Sequence, residues 1–349
     1  IKIAKNHNKK EAVMRKSISF ILFLLFFVFY SPLYALTPEE ILLLKRSGVS
    51  DEKILEMQKK EGATSPQYAS PPPINAFDWN EDGLKDIITG SHRGQVYVYL
   101  NKGTNKEPIF DKAAKIDGAE VMRFGDPYVV DWNSDGKKDI IAGSRSGEIT
   151  VFINGMDNKQ PIFSGELKLN EGELDVGFFS SPAMVDWNGD GRKDLVVGEK
   201  EGGIYLFLNT GTNNMPSFSS KGMKLPIKVK DYATPFIADW NSDGKFDVIC
   251  GSIDGKVYVF INEGDSKNPK FGNAQTVHVN NKELKLPTPT SVIAVDWDDD
   301  GKMDILVSNK EVVEEGSIPD RKNIIPLGIY LLFNTGTKEK PEFKELKQI

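Results

Sequence analysis

In 349 residues the chain has one cysteine, Cys250, and three histidines, His7, His92 and His278. A single thiol excludes an internal disulfide framework. So few histidines exclude a His-rich metal centre, and neither His92 nor His278 stands in a triad or zinc-ligand spacing. Basic side chains are outnumbered, 44 Lys and Arg against 50 Asp and Glu, so no basic patch points to nucleic acid. Long apolar runs are scarce as well. The conspicuous one, residues 20–30, is well short of the ~20 residues that span a bilayer.

That run has a different reading. Arg15 and Lys16 precede it and the small-residue stretch "SPLYA" follows, the charged, apolar and cleavage regions of a secretory signal. Residues 1–35 are therefore expected to be removed after Ala35, with Met14 a candidate start. An uncleaved signal is the only membrane attachment the sequence offers. Export places the protein in the periplasm, at the cell surface or in the medium. Removing residues 1–35 takes away six basic and one acidic side chain and leaves 38 basic against 49 acidic, a net charge of -11.

Residues 37–61 read as a helical hairpin. Thr37 and Glu40 form a capping box around Pro38, Gly48 suits the stop of the first helix, and Ser50 caps the second. Residues 62–73, "GATSPQYASPPP", are a Pro/Ser/Gly linker.

From residue 74 onward the chain repeats itself. "DWNEDGLKD" (78–86), "DWNSDGKKD" (131–139), "DWNGDGRKD" (186–194), "DWNSDGKFD" (239–247) and "DWDDDGKMD" (296–304) begin 53, 55, 53 and 57 residues apart. All five tryptophans of the protein stand at the second position of this motif. Fifteen residues after the last Asp of the first four copies comes Asn101, Asn154, Asn209 or Asn262; in the fifth copy Asn334 follows after 30, so 15 residues have been inserted there. A "PxF" triplet begins seven residues beyond each of these asparagines. Between the landmarks lie β-branched and aromatic runs such as "DIIAGS", "EITVFIN" and "PFIADW", which read as strands. No amphipathic helix fits between them, which excludes a parallel βαβ arrangement. Four-stranded antiparallel units at a period near 50 predict a β-propeller, here all-β with five blades over residues 74–349.

The charged turn itself poses a problem, because three or four carboxylates in nine residues repel one another. Position one is Asp78, Asp131, Asp186, Asp239 or Asp296. Position three is Asn80, Asn133, Asn188, Asn241 or Asp298, and position five is Asp82, Asp135, Asp190, Asp243 or Asp300. Position six is glycine throughout, and position nine is Asp86, Asp139, Asp194, Asp247 or Asp304. Oxygen side chains at one, three and five, with glycine at six, match the opening of an EF-hand calcium loop. Position seven (Leu84, Lys137, Arg192, Lys245, Lys302) offers its main-chain carbonyl. A donor set of hard oxygens with no His or Cys favours Ca²⁺ over zinc or copper. About five Ca²⁺ ions would bring the net charge from -11 to -1.

At these residues the chain resembles the FG-GAP/VCBS repeat family of calcium-binding propellers, and the stretch "DWNGDGRKDLVVGEKEGGIYLFLNTGTNNMPSF" (186–218) is similar to a family unit throughout. Such repeats form the head of integrin α-subunits and occur in secreted bacterial proteins. The resemblance implies calcium in the turn between the first and second strands of each blade. The tryptophan at position two and the five-fold count depart from the integrin pattern.

In a four-strand meander the calcium turn and the "NxGT" turn share one face. The turn between strands two and three shares the other with the links between blades. That second face carries the inserted residues 311–326 and the longer links near 166–181 and 272–290. His92, Arg93, Arg145, Glu199, Lys200 and Asp254 lie there as candidate ligand-binding residues, since loops on a rigid scaffold carry binding chemistry. The tryptophans are expected to pack between blades rather than to stack on sugars. The composite reading is a secreted, non-catalytic binding or adhesion module with a protein or glycan partner on that face. The alternatives are a lectin or a polysaccharide-active enzyme using a carboxylate pair.

Overall fold

A computed structural model describes residues 74–349 except 92–93, 111, 122–125, 170–173, 175, 288 and 310–327. The expected leader, helical hairpin, linker and 311–326 insertion, and the candidates His92 and Arg93, lie outside the described residues.

The first blade comprises β1 (Ile74–Phe77), β2 (Asp86–Gly90), β3 (Gln95–Tyr99) and β4 (Ala114–Glu120), hydrogen-bonded in chain order as an antiparallel meander. Four further four-stranded sheets repeat this order, which gives the five blades the repeat count predicts. Their first strands are Asp126–Val130, Ser181–Val185, Thr234–Ala238 and Ser291–Val295. Each first strand packs against that of the next blade, and the fifth returns to β1. The ring therefore closes through side chains, with Ile74 and Ile87 sharing a core with Ile293, Trp297, Leu306 and Leu331. The second strand of every blade is buried along its whole length, which is why it reads as an unbroken apolar run rather than an alternating one.

Blade four departs from the pattern. Its fourth strand is only Gln275–Thr276, and a separate hairpin, His278–Val279 with Lys282–Glu283, follows it. The sequence around 272–290 shows a longer link but no clear hairpin signal. The hairpin instead docks on its neighbour, Val279 bridging to Phe343 of blade five.

The glycine that ends the second strand shows how closely the blades fit. A Cβ on Gly251 would lie 1.9 Å from the Thr290 carbonyl oxygen, and one on Gly198 would lie 2.1 Å from that of Ala233. The chain entering the next blade occupies the space a side chain would need. Gly251→Ala is expected to destabilise the protein by about 1–3 kcal/mol through overpacking against backbone that cannot step aside. Urea denaturation that gives the wild-type midpoint would refute this.

Candidate metal loops and the opposite face

The five acidic turns share one conformation, built from their own amides. In the first, Asp78 Oδ1 and Oδ2 accept from the Asp82 and Gly83 amides at 3.1 and 2.9 Å, and Asp82 Oδ1 accepts from that of Leu84 at 2.9 Å. The second loop repeats these bonds at Asp131 and Asp135, the third at Asp186 and Asp190, the fourth at Asp239 and Asp243, and the fifth at Asp296 and Asp300. Position four is left-handed in each copy, with φ of 60° at Glu81, 62° at Ser134, 71° at Gly189, 59° at Ser242 and 61° at Asp299. This lets the position-one carboxylate reach across to the amides of positions five and six in every loop.

Position nine does a second job. Asp247 Oδ2 accepts from the Trp240 amide at 3.0 Å and Oδ1 from the Asn262 amide at 2.8 Å. The same pair of bonds recurs at Asp86, Asp139, Asp194 and Asp304. In blade five the Asn334 amide meets Asp304 at 2.7 Å despite the inserted residues. Burial raises the carboxyl pKa of all five position-nine aspartates from its ordinary value, to about 6 for Asp304. Each of these asparagines in turn stitches the "NxGT" turn; Asn101 Oδ1, for example, accepts from the Gly103 and Ile109 amides.

In the first four loops the position-three asparagine directs Oδ1 at the position-five amide, at 3.2 Å for Asn80 and 3.0 Å for Asn188, with Asn133 and Asn241 alike. The fifth loop differs. Asp298 Oδ1 is buried without a hydrogen-bond partner, and oxygens of Asp296, Asp298 and Asp304 lie within 4.8 Å of one another. An unpaired buried carboxylate oxygen beside two more carboxylates is costly unless a cation joins it. The residues present thus fit an all-oxygen divalent site. Position-seven cations lean on position five, Lys302 on Asp300 at 2.8 Å and Lys137 on Asp135 at 3.3 Å, with Arg192 and Lys245 placed likewise. Lys302 holds the Asp300 carboxyl below its usual range. Leu84 gives the first loop no such cation.

Position eight has a role that the turn's own spacing does not state. Lys138 Nζ donates to the Trp79 carbonyl at 3.2 Å, and Lys193 Nζ reaches the Asp131 carbonyl and the Ser134 hydroxyl. Lys85 Nζ lies 2.6 Å from Asp299. Each lysine thus anchors on the acidic loop of the preceding blade, and Lys85 closes the ring onto blade five. In blade four Phe246 takes this place and packs on Trp187, 6.2 Å between ring centroids. The signal was available, because Lys recurs at one fixed offset in three copies. The tryptophans are buried between blades, none more than 8% exposed. Trp187 donates its indole N–H to Ser266 of blade four at 2.9 Å.

The opposite face holds the turns between strands two and three. There the Phe179 amide donates to the Arg145 carbonyl, and the Lys200 backbone bridges Phe178 and Tyr232. The Arg145 guanidinium sits over the Phe179 ring at 5.8 Å, and Phe179 meets Tyr232 edge-on at 4.9 Å. Both aromatic residues have positive φ, 57° and 51°, an uncommon conformation for bulky side chains. Glu199 is buried and its carboxylate accepts from the Glu201 and Gly203 amides, so it serves the turn. Asp254 accepts from the Tyr258 hydroxyl at 2.9 Å. Lys200 is exposed.

On the same face, at the start of the first strand of blade two, Asp126 accepts from Ser181, and burial pushes its carboxyl up to about 7. The folded chain then holds this proton more tightly than the unfolded one. The resulting stabilisation is full below the ordinary carboxylate value near 4 and is lost as pH rises through about 7. Asp126→Asn removes the titration, so the melting temperature of the wild type minus that of the variant should fall between pH 5 and pH 8. A pH-independent difference would show that Asp126 is ionised throughout.

The fold and the repeated acidic turn define a repeat propeller. The FG-GAP-like repeat model matches residues 78–142, 186–246 and 239–307, and the chain belongs to that family. Among curated proteins none matches the sequence. Solved structures with some likeness include a lectin of Agrocybe aegerita studied for recognition of non-reducing terminal N-acetylglucosamine, 20% identical over 81% of each chain, with a TM-score of 0.38. AofleA from Arthrobotrys oligospora is 10% identical over 80% of this chain and 72% of its own, with a TM-score of 0.45. The Photorhabdus luminescens Tc holotoxin pore is 13% identical over 76% of this chain and 16% of its own, with a TM-score of 0.33.

Proposed function

We propose that the protein is an exported, non-catalytic binding module whose acidic loops hold calcium and whose opposite face holds the partner. The observation that carries this reading is the fifth loop, where three carboxylates converge around a buried oxygen with no protein partner. The other four loops share its backbone conformation, with asparagine replacing one carboxylate. Positions one, three, five and nine would supply side-chain oxygens and position seven its carbonyl. The ion would supply charge neutralisation and rigidity, not chemistry on a substrate. Repetition supports this role, because five equivalent sites suit a scaffold better than a reaction centre. The position-nine carboxylates are held by amides, and His278 is occupied with its own strand through Nδ1 and the Thr276 carbonyl at 2.8 Å.

Titration calorimetry on chelator-treated protein tests the reading. Heat on adding Ca²⁺, weaker for Asp298→Asn at the fifth site, supports it. No heat, or turnover in a polysaccharide hydrolysis panel that persists without calcium, rejects it.

A further inference from the structure

Neighbouring acidic loops touch through side chains that the repeat places at fixed offsets. Position four of one loop meets position eight of the next loop and the residue four beyond that blade's conserved "NxGT" asparagine. Between blades one and two Glu81 meets Lys138 and Asn158. Between blades two and three Ser134 meets Lys193 and Asn213, and between five and one Asp299 meets Lys85 and Asn105. We propose that these lysine–asparagine pairs couple the metal loops. Closing one loop around its ion raises the calcium affinity of the loops clasped to it, along the arc of loops five, one, two and three, while loop four fills by itself. This inference rests on the calcium reading above.

The asparagine is the joint. Its Oδ1 accepts from the main-chain amide of position eight in its own blade, at 2.9 Å from Lys85, 2.7 Å from Lys138 and 2.8 Å from Lys193. Its Nδ2 donates to position four of the preceding loop, at 2.9 Å to Asp299, 2.8 Å to Glu81 and 3.5 Å to Ser134. In blades two and three the same Nδ2 also meets the position-six carbonyl of its own loop, Gly136 at 3.1 Å and Gly191 at 3.2 Å. One amide group therefore touches two loops at once. The lysine ammonium adds a second grip on the preceding loop, through a carbonyl of position one or two or the side chain of position four. That lysine stands one residue before the position-nine aspartate of its own loop.

The two remaining seams lack the joint. Between blades three and four, position four is Gly189, position eight is Phe246, and Ser266 takes the place of the asparagine. Phe246 packs on Trp187, whose indole donates to the Ser266 carbonyl instead. Between blades four and five the corresponding residues are Ser242, Met303 and Lys338, and Met303 packs on the apolar cluster that holds Trp240. Lysine and asparagine are thus kept together or replaced together, as two halves of one device would be. Coupling follows from what the bridge requires. Both loops must be in their closed shape for the asparagine to reach them, and without a cation the carboxylates of a loop push it open. A cation that closes one loop therefore lowers the cost of closing its neighbour, and the effect runs equally in both directions. At the usual net strength of a side-chain hydrogen bond the coupling is about two- to tenfold in affinity.

Hydrogen exchange read by mass spectrometry tests the coupling, because each loop falls in its own peptide. The full chain is treated with chelator and returned to stepped calcium concentrations. Asp131→Asn weakens loop two. The calcium concentration that half-protects loops one and three should then rise about two- to tenfold, and that of loop four should not move. Adding Lys138→Met and Asn158→Ser, residue types this chain itself uses at the seams without a clasp, should free loop one from the effect and leave loop three under it. A fold that was merely destabilised would shift all loops alike. Should Asp131→Asn not fold, Asp186→Asn takes its place and must shift loop two but not loop four. Unmoved neighbours, or a shift at loop four as large as theirs, would overturn the coupling and leave calcium binding intact. Loops that calcium never protects would remove the calcium reading and this inference together.

Discussion

Removing calcium from the protein with a chelator should lower its melting temperature by roughly 30 °C or more, and adding the ion back should restore it. A ligand that binds only the folded state at 100 times its Kd stabilises by about 2.7 kcal/mol per site. A chain of this size shifts by roughly 2–4 °C per kcal/mol. With about five such sites the effects would add, because the loops that would hold the ions join the first and second strands of every blade. In the fifth loop oxygens of Asp296, Asp298 and Asp304 lie within 4.8 Å of one another, and with no cation between them their repulsion would oppose folding. Scanning calorimetry in excess chelator and in millimolar calcium gives the comparison. Coincident melts would remove calcium from the account of this fold.

Asp247→Ala should cost about 2–6 kcal/mol, and most of that loss should persist in chelator. The reason is the second role of position nine. Asp247 is fully buried, and its two oxygens accept from the amides of Trp240 and Asn262. Alanine leaves two enclosed N–H groups without acceptors, each worth about 1–3 kcal/mol. Asn241→Ala, at position three of the same loop, provides the contrast. Its side chain bonds only within the exposed loop, to the amide and the carboxylate of Asp243, so its effect should be felt mainly when calcium is present. Urea unfolding of both variants with and without the ion separates the roles. If Asp247→Ala becomes harmless in chelator, position nine is a metal ligand and nothing more.

These two roles differ in how far they could be read from the residues. The one-three-five-nine spacing is local, so its oxygen-rich character is visible in nine consecutive letters. The amide bonds of position nine span seven residues to the Trp amide and fifteen to the Asn amide. The repeated Asp-to-Asn interval marked that second contact without stating its chemistry. Asn334 shows the interval to be a tertiary requirement: with 30 residues between them the same bond to Asp304 forms. The hairpin at His278–Val279 and Lys282–Glu283 was hidden because its strands are two residues each and are held by docking on a neighbouring blade.

By itself the sequence determined the number of blades, the strand order within each and the acidic turns that join strands one and two. All of these follow from short-range patterns repeated five times, and repetition makes a weak local signal unambiguous. The tertiary structure alone decided which groups meet. Lys138 and Lys193 reach into loops some 60 residues earlier, Glu199 is consumed by its own turn, and Asn158 bonds to two loops at once. Those outcomes depend on how one blade leans on the next, a distance in space for which no spacing along the chain is a substitute.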